Sequence, residues 1–225
     1  MENSTQFDIG QVRDTALQVL TEPVEFYRTM PKTGGFTNPI IFLVVMALVT
    51  GAMFTFVSFL GVRSAGAIAI SAAAIIFFPI MALIASFVSA AIVFIIWKLM
   101  GSQESFETAY RCLAFASAIY PVMAVLSLIP YLGSLITVVW GVYLLIVAGI
   151  EVHRLNPQRV YLVFGVLGVL LLISNLSSEI ASRRLASSVD KIQSHVSELE
   201  KMSPKDAGKA VGEFLKGLEE STKDD

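Results

Sequence analysis

Two long stretches of this chain carry almost no charge, and they constrain its fold more than any other feature. Residues 40–99 contain only two charged side chains, and residues 112–150 contain none. A water-soluble domain would interrupt such runs with solvent-facing residues every few positions. The composition agrees, since 55% of the 225 residues are hydrophobic and only 15% are charged. Uncharged runs of this length are typical of spanning helices, so we predict an integral membrane protein.

The breaks between the apolar runs predict the arrangement of these helices. The fold class that follows is all-α: a polytopic membrane helical bundle with five transmembrane helices, amphipathic N-terminal helices and a helical C-terminal tail. The predicted spans are residues 39–60, 79–100, 106–128, 134–150 and 160–176. We therefore divide the chain into N-terminal amphipathic helices (1–38), a five-span transmembrane domain (39–176) and a charged amphipathic tail (177–225).

The run from Ser64 to Met100 is too long for one spanning helix and too short for two. As one helix, Ser64 to Trp97 would measure about 50 Å, whereas the hydrocarbon core is about 30 Å thick. We interpret Ser64–Phe78 as a short interfacial or re-entrant helix that Pro79 separates from the second span. One strongly tilted, kinked helix is the alternative.

Further prolines and glycines predict kinks and turns. Pro121 lies inside the third span and crowds the carbonyl of Ser117, which predicts a kink. Pro130 and Gly133 leave almost no loop before the fourth span, so the third and fourth spans should be antiparallel neighbours. In the second span, small residues one turn apart at Ala82, Ser86 and Ala90 favour internal packing over a dimer face.

Both ends of the chain are amphipathic. Pro23 begins a short helix that carries Phe26, Tyr27 and Met30 beside Arg28, and it either lies among the lipid headgroups or packs on the end of the bundle. After residue 176, apolar residues at alternating steps of four and three predict a coiled-coil-like helix. Ser203 then caps a further helix, and we expect the tail to bind a protein partner or a second copy of the chain.

The charges at the span ends predict the orientation. Five spans place the termini on opposite sides, and the opposite short loops carry only Arg63. By the positive-inside rule, we expect a cytoplasmic N-terminus and a tail across the membrane. A sixth span at Ser64–Phe78 would even the charge tally. The basic residues on the N-terminal side are Arg28, Lys32, Lys98, Arg111, Arg154 and Arg159.

The sequence contains no set of residues typical of catalysis. It has no His-x-x-x-His or Cys-x-x-Cys spacing and no glycine-rich phosphate loop, so we predict no catalytic residue, no metal and no cofactor. His153 beside Glu151 is too small a donor set for a metal site. A net charge of −2 without a basic cluster predicts no nucleic acid partner.

A polar cluster at the N-terminal side is the candidate functional feature. Glu107 and Arg111 lie four residues apart on one helix, and we favour an ordinary intrahelical pair between them. The alternative is that, with Glu151, they dock the segment Phe26–Gly35 or a partner. The candidate face comprises Phe26, Tyr27, Met30, Pro31, Gly34, Gly35, Glu107, Tyr110, Arg111, Glu151 and His153.

The order of several landmarks resembles the Yip1 family of membrane proteins. They are Pro23-x-x-Phe26-Tyr27-x-x-Met30-Pro31 with Gly34-Gly35, Ser105-Phe106-Glu107-x-x-Tyr110-Arg111, Tyr120-Pro121, Pro130-x-x-Gly133, Trp140, Gly149 and His153. The resemblance implies a five-span bundle with a cytoplasmic N-terminus. Eukaryotic members are associated with Golgi and endoplasmic reticulum membranes and with Rab-type GTPases. The chain lacks their Asp-Leu-Tyr-Gly-Pro segment and is more similar to the prokaryotic branch, so we expect a bacterial inner membrane and no small GTPase partner.

Two functional hypotheses follow. The first is a non-enzymatic protein that organises the bilayer or recruits partners through its cytoplasmic face and tail. The second is a permease or channel-like component, since Pro79 and Pro121 can expose backbone carbonyls to a cavity. A polar cavity at mid-depth lined by Ser86, Ser89, Ser117 and Tyr120 would favour the second, and a filled bundle the first. An intramembrane enzyme is a distant third.

Overall fold

A computed structural model describes residues 9–61, 65–129, 131–201 and residue 212 of the chain. Within them it forms eight α-helices, which confirms the all-α fold class. Their bounds are α1 Ile9–Thr21, α2 Pro23–Thr29, α3 Thr37–Gly61, α4 Ala65–Leu99, α5 Phe106–Ala116, α6 Ile119–Leu126, α7 Leu132–Glu151 and α8 Pro157–Lys201. Pro130, the N-terminal eight residues and the predicted helix after Ser203 lie outside the described residues.

Five of these segments are long and apolar enough to cross a membrane, as predicted. The third crossing is made by α5 and α6 together, and α8 supplies the fifth. The chain divides into two compact units, Met1–Leu176 and Ser177–Asp225. The core and the candidate site described below belong to the first unit. The candidate spans are Thr37–Val57, Ile75–Leu99, Phe106–Leu126, Leu132–Glu151 and Pro157–Val189.

The predicted break at Pro79 is wrong. Residues Ala65–Leu99 form one helix with Pro79 inside it, which is the continuous alternative. Proline removes one backbone donor, but ending the helix would leave several peptide groups without partners in lipid, where each costs several kcal/mol. Keeping the helix intact is therefore the smaller loss. The fifth helix is also longer than predicted, because α8 continues beyond Leu176 to Lys201.

At Pro121 the third crossing changes its hydrogen-bond pattern. Pro121 has no N–H to donate to the carbonyl of Ser117, and the N–H of Tyr120 donates to that oxygen instead, at 2.9 Å. The N–H groups of Ser117 and Ala118 also bond three residues back, to Ala114 and Phe115. This tighter turn separates α5 from α6.

The tight return from α6 to α7 depends on Gly133. A Cβ at this position would lie 3.0 Å from the backbone carbon of Leu126 and the backbone nitrogen of Ser127, closer than a side chain tolerates. The missing side chain therefore lets α7 approach the end of α6, and the two helices pack against each other.

The core of the bundle lies between α2, α3, α4, α5 and α7. Phe26 meets Phe115 edge to face at 5.3 Å, and Phe115 meets Phe42 at 5.1 Å. Helix α2 therefore packs on the end of the bundle, which decides between the two interpretations of this helix. Ala90 is fully buried with Leu43, and Ala82 packs against the same cluster, so the small-residue pattern serves internal packing.

Candidate functional site

Three segments that are far apart in sequence meet at one end of the bundle. We call them together the polar cap: residues 22–36, 97–111 and 151–159. Lys32 joins all three, because its Nζ donates to Glu104 Oε1 at 2.6 Å and to the carbonyl of Val152 at 2.9 Å. One ammonium group thereby ties the loop before α3 to the loop before α5 and to the loop after α7.

Arg111, on α5, binds the loop before α3. Its side chain is buried, and its Nε and Nη1 donate to the carbonyl oxygens of Pro31 at 2.7 Å and Gly35 at 2.8 Å. Hydrogen bonds from a charged donor contribute about 1.5–3 kcal/mol each, and removing the donor would leave both carbonyls without it. The guanidinium is therefore satisfied by main-chain oxygens, which makes the loop and α5 one unit.

Glu107 binds the same loop from its other side. Its Oε1 accepts from the backbone N–H of Gly35 at 2.7 Å. The ion pairs of the described residues do not include Glu107 with Arg111, so the favoured intrahelical pair is wrong. The docking alternative describes the geometry instead. Both side chains lie on one face of α5, and that face meets a backbone turn that presents a donor and two acceptors.

Gly34 and Gly35 give the turn its shape. Their φ angles are +121° and +79°, values that a residue with a Cβ rarely adopts. Gly34 also lies against the guanidinium, since a Cβ built there would be 3.7 Å from Arg111 Nη1. The glycine pair therefore turns the Gly35 N–H toward Glu107 and its carbonyl toward Arg111.

The start of α5 completes this contact. The hydroxyl of Ser105 caps the helix by accepting from the N–H of Thr108 at 3.2 Å. The hydroxyl of Thr108 in turn donates to the carbonyl of Lys32 at 3.1 Å. Three side chains spaced along the first turns of α5, those of Glu107, Thr108 and Arg111, thus bind the main chain of residues 31–35.

The aromatic residues of α2 form the apolar underside of the cap. Tyr27 is almost fully buried, and its hydroxyl donates to the carbonyl of Cys112 at 2.9 Å. Burial raises the pKa of Tyr27 well above its usual value, with a smaller contribution from Cys112. Met30 is buried in the same cluster. This side of the cap is a packed core.

The outer edge of the cap is an exposed ion pair. Arg28 Nε lies 3.1 Å from Glu151 Oε2, and Arg28 Nη1 lies 3.4 Å from Glu25 Oε2. The hydrogen bond that Arg28 donates to Glu151 and the charge of that carboxylate raise the pKa of Arg28. Exposed pairs of this kind contribute little to stability, because solvent screens them. Arg28 therefore positions α2 over α7 without strongly stabilising it.

His153 is buried inside the cap. Its Nδ1 lies 2.7 Å from Ser102 Oγ, its ring centroid is 4.0 Å from that of Trp97, and its Nε2 has no hydrogen-bond partner among the described residues. Burial lowers the pKa of His153 to about 4, and the nearby ammonium groups of Lys32 and Lys98 add to the decrease, whereas Glu104 opposes it. The imidazole is therefore neutral at physiological pH.

Several important residues of the cap were not among the predicted site residues. Lys32 entered only as a charge, and Ser102, Glu104 and Thr108 were not singled out. The signal that could have found them is charge complementarity, because Lys32 and Glu104 lie in loops on the same side of the membrane. In the searched part of the chain, no group of three His, Cys, Asp or Glu side chains is placed to hold a metal ion.

Tyr110 belongs to a deeper layer. Its ring stacks on Phe87 at 4.4 Å and its hydroxyl lies 3.3 Å from Ser86 Oγ, inside the bundle below the cap. The predicted face therefore separates into two parts. All eleven residues lie in the segments of the cap, but the side chain of Tyr110 extends from α5 into the bundle and packs against α4.

A cavity of about 360 Å³ lies at the middle of the spans. Ser86 lines it from α4, Ser117 from the turn between α5 and α6, Tyr120 from α6, Gly141 from α7 and Asn175 from α8. Ser89 and Thr137 add two more hydroxyls. Among the described lining residues there is no carboxylate, imidazole, ammonium or guanidinium group. The described lining is therefore uncharged and mostly apolar, with a few hydroxyl groups and one amide.

The architecture and the cap together define a class, a multi-pass integral membrane protein with five spanning helices and an interlocked loop face at the N-terminal end. The family model of the Yip1 domain matches residues 17–177, which include the cap, the first four crossings and the first part of the fifth. The chain belongs to the Yip1 family. No curated protein and no solved structure matches it.

Proposed function

We propose that this chain is a non-enzymatic membrane protein that organises the bilayer or recruits partners, with the polar cap as its cytoplasmic docking surface. The observation that carries the proposal is the cap itself. Three loops are held in one shape by Lys32, Glu107 and Arg111. A surface held this rigidly can present a constant shape to a partner, with little ordering cost on binding.

The exposed side of α1 and α2, next to the cap, has the composition of a docking site. Leu17 is 53% exposed and Val24 37% exposed. By helical spacing, Arg13 and Asp14 lie one turn before Leu17, and Arg28 lies one turn after Val24. Apolar side chains with a charged rim are typical of protein interfaces. We propose that a protein partner contacts this surface and that the tail contributes to the same complex or to self-association.

The orientation is part of the proposal. Arg28, Lys32, Arg154 and Arg159 all belong to the cap, and the positive-inside rule favours a cytoplasmic location for such a face. We propose a bacterial inner membrane location with the tail on the other side. A reporter fused after Asp225 should be active only outside the cytoplasm, and activity in the cytoplasm would contradict the orientation.

The absence of catalysis is supported by how the cap uses its reactive groups. His153 is neutral, buried and bound to Ser102, so it is not presented to a substrate. Cys112 is buried as well. The carboxylates of Glu104 and Glu107 accept hydrogen bonds from the cap's own Lys32 and Gly35.

Site-specific photocrosslinking in cells tests the docking surface. A photoreactive amino acid at position 17 or 24 should give a discrete protein adduct. The same amino acid at Leu162, which is 70% exposed on the spanning part of α8, is the matched control and should give none. Adducts that are equal at all three positions, or absent from positions 17 and 24, would contradict the proposal.

The cavity is the specific observation that favours the second candidate, a permease or channel-like component. Ser86, Ser89, Ser117 and Tyr120 line it together, which is the arrangement expected for that function. The purified chain in liposomes should then conduct a small uncharged solute. If the crosslinks form and no solute crosses, the scaffold function stands and the permease does not.

A further inference from the structure

The mid-depth cavity opens toward the lipid. Ala85 and Ser89 on α4 and Leu171 and Asn175 on α8 are exposed residues at its rim, whereas Ser117 at its base is buried. Its volume of about 360 Å³ lies within the range of small-molecule sites. A molecule in the bilayer can therefore reach this cavity from the side, without passing through water.

The hydroxyls of the cavity differ in what they can still bind. Ser86, Ser117 and Thr137 donate to carbonyls of their own helices, so each retains only acceptor capacity toward the cavity. The hydroxyls of Ser89 and Tyr120 have no hydrogen-bond partner within the described part of the chain. The cavity therefore offers several acceptors and two free hydroxyl donors.

Asn175 adds an unusual polar group at the lipid-facing rim. Its Nδ2 donates to the carbonyl of Leu171 at 3.0 Å, and no donor reaches its Oδ1 among the described residues. A polar group on the lipid-facing side of a spanning helix is costly when it has no hydrogen-bond partner. A ligand with a hydroxyl group would satisfy this oxygen.

The lining excludes other classes of lipid. A phosphate or a carboxylate would lie at mid-depth with no cationic side chain in the cavity to balance it. A pure hydrocarbon would leave Ser89, Tyr120 and Asn175 without partners. An uncharged head that both donates and accepts hydrogen bonds matches the lining.

We propose that this cavity is a binding site for a neutral lipid with a free hydroxyl, of the diacylglycerol class. The acyl chains extend between α4 and α8 into the bilayer, and the hydroxyl binds at Tyr120, Ser89 and Asn175. The site does not depend on the polar cap being a docking surface, so either proposal can fail without the other.

The test is photolabelling of the full chain in liposomes with a photoactivatable diacylglycerol. Labelling should saturate and should be competed by unlabelled diacylglycerol. The acetylated form, which has the same chains without the hydroxyl, and phosphatidylglycerol, which carries a charged head, should each compete at least tenfold less well. Equal competition by all three lipids would overturn the proposal, since it would show ordinary lipid contact.

Two variants locate the site. Gly141→Val should reduce labelling at least tenfold, because a Cβ there meets nothing within 4 Å and the side chain would occupy free space where Gly141 lines the cavity. Gly165→Val is the matched control: its Cβ also meets nothing within 4 Å, but Gly165 lines a different, apolar groove. Equal labelling of the two variants would overturn the assignment.

Two further variants, alone and combined, test the hydrogen bonds without changing the shape of the cavity. Tyr120→Phe and Ser89→Ala should each weaken competition by unlabelled diacylglycerol about fivefold, the value for one hydrogen bond of about 1 kcal/mol. Neither hydroxyl bonds within the described protein, so folding should be unaffected. Unchanged competition in the double variant would show that the hydroxyls do not bind the ligand, and would overturn the proposal.

Discussion

Replacing Arg111 by methionine should release the loop before α3 from α5. The side chain is buried and donates to the carbonyls of Pro31 and Gly35, and methionine fills similar space without donating. Two hydrogen bonds from a charged donor, at about 1.5 kcal/mol each, give a loss of about 3 kcal/mol. If the whole loss falls on local opening, the open population rises about 150-fold.

Trypsin cleavage after Lys32 in mild detergent measures this opening. Cleavage follows the open population as long as the loop closes faster than it is cut. The rate in Arg111→Met should therefore rise about 150-fold over the wild-type rate. Arg111→Lys retains the charge but reaches at most one of the two carbonyls with good geometry. Its cleavage rate should lie between those of wild type and Arg111→Met.

The matched control is Arg159→Met. Arg159 lies in the same cap, is exposed and makes no side-chain hydrogen bond within the described residues, so its loss changes the net charge equally without releasing the loop. Its cleavage rate should remain within about twofold of wild type. A wild-type rate in Arg111→Met, or an equal rise in Arg159→Met, would refute the assignment of Arg111 as the loop's anchor.

Three further substitutions test the cap and the return between the third and fourth crossings. The folded pKa of His153 is about 4, below the usual 6.5, so its contribution to stability is complete above pH 6.5 and decreases as pH falls toward 4, by up to about 3 kcal/mol. The free energy of unfolding, plotted against pH over this range, should have different slopes for wild type and His153→Gln. Parallel curves would refute the shift. Gly34→Ala should cost about 2 kcal/mol because alanine is strained at φ +121°, measured by thermal unfolding against Gly165→Ala, which should cost nothing. Gly133→Ala should cost about 2 kcal/mol because its Cβ meets the backbone of Leu126 at 3.0 Å; an unchanged unfolding midpoint would show that α7 can move away.

The crossings could be predicted because the cost of charge in lipid acts on each segment separately. Residues 40–99, with only two charges, and residues 112–150, with none, required spanning helices whatever their neighbours. The error at Pro79 arose from a rule calibrated in water, where a helix end can bond to solvent. In lipid the same proline is kept inside a helix, since the exposed peptide groups would have no partner.

The pairing inside the cap was harder to predict. Arg111 and Glu107 suit an intrahelical pair by spacing, but both bind the loop that contains Gly35, more than 70 residues away along the chain. Spacing describes what two side chains can reach on one helix, and it contains no information about a backbone turn brought there by the tertiary fold. The hydroxyls of the cavity are different, because Ser86, Ser89, Ser117 and Tyr120 could be grouped from their depth in the predicted spans.

Because Arg111 donates its hydrogen bonds to main-chain oxygens, they do not depend on the side chains of the loop before α3. The backbone carbonyl is the same whatever side chain a residue carries. A substitution at Thr33 therefore leaves the anchoring oxygens of Pro31 and Gly35 in place. Substitution of Gly34 or Gly35 has a different effect, because the torsion angles of these residues set the conformation of the loop. Saturation mutagenesis of this loop should therefore find position 33 permissive and positions 34 and 35 restrictive, so that the loop can drift in composition and retain its conformation.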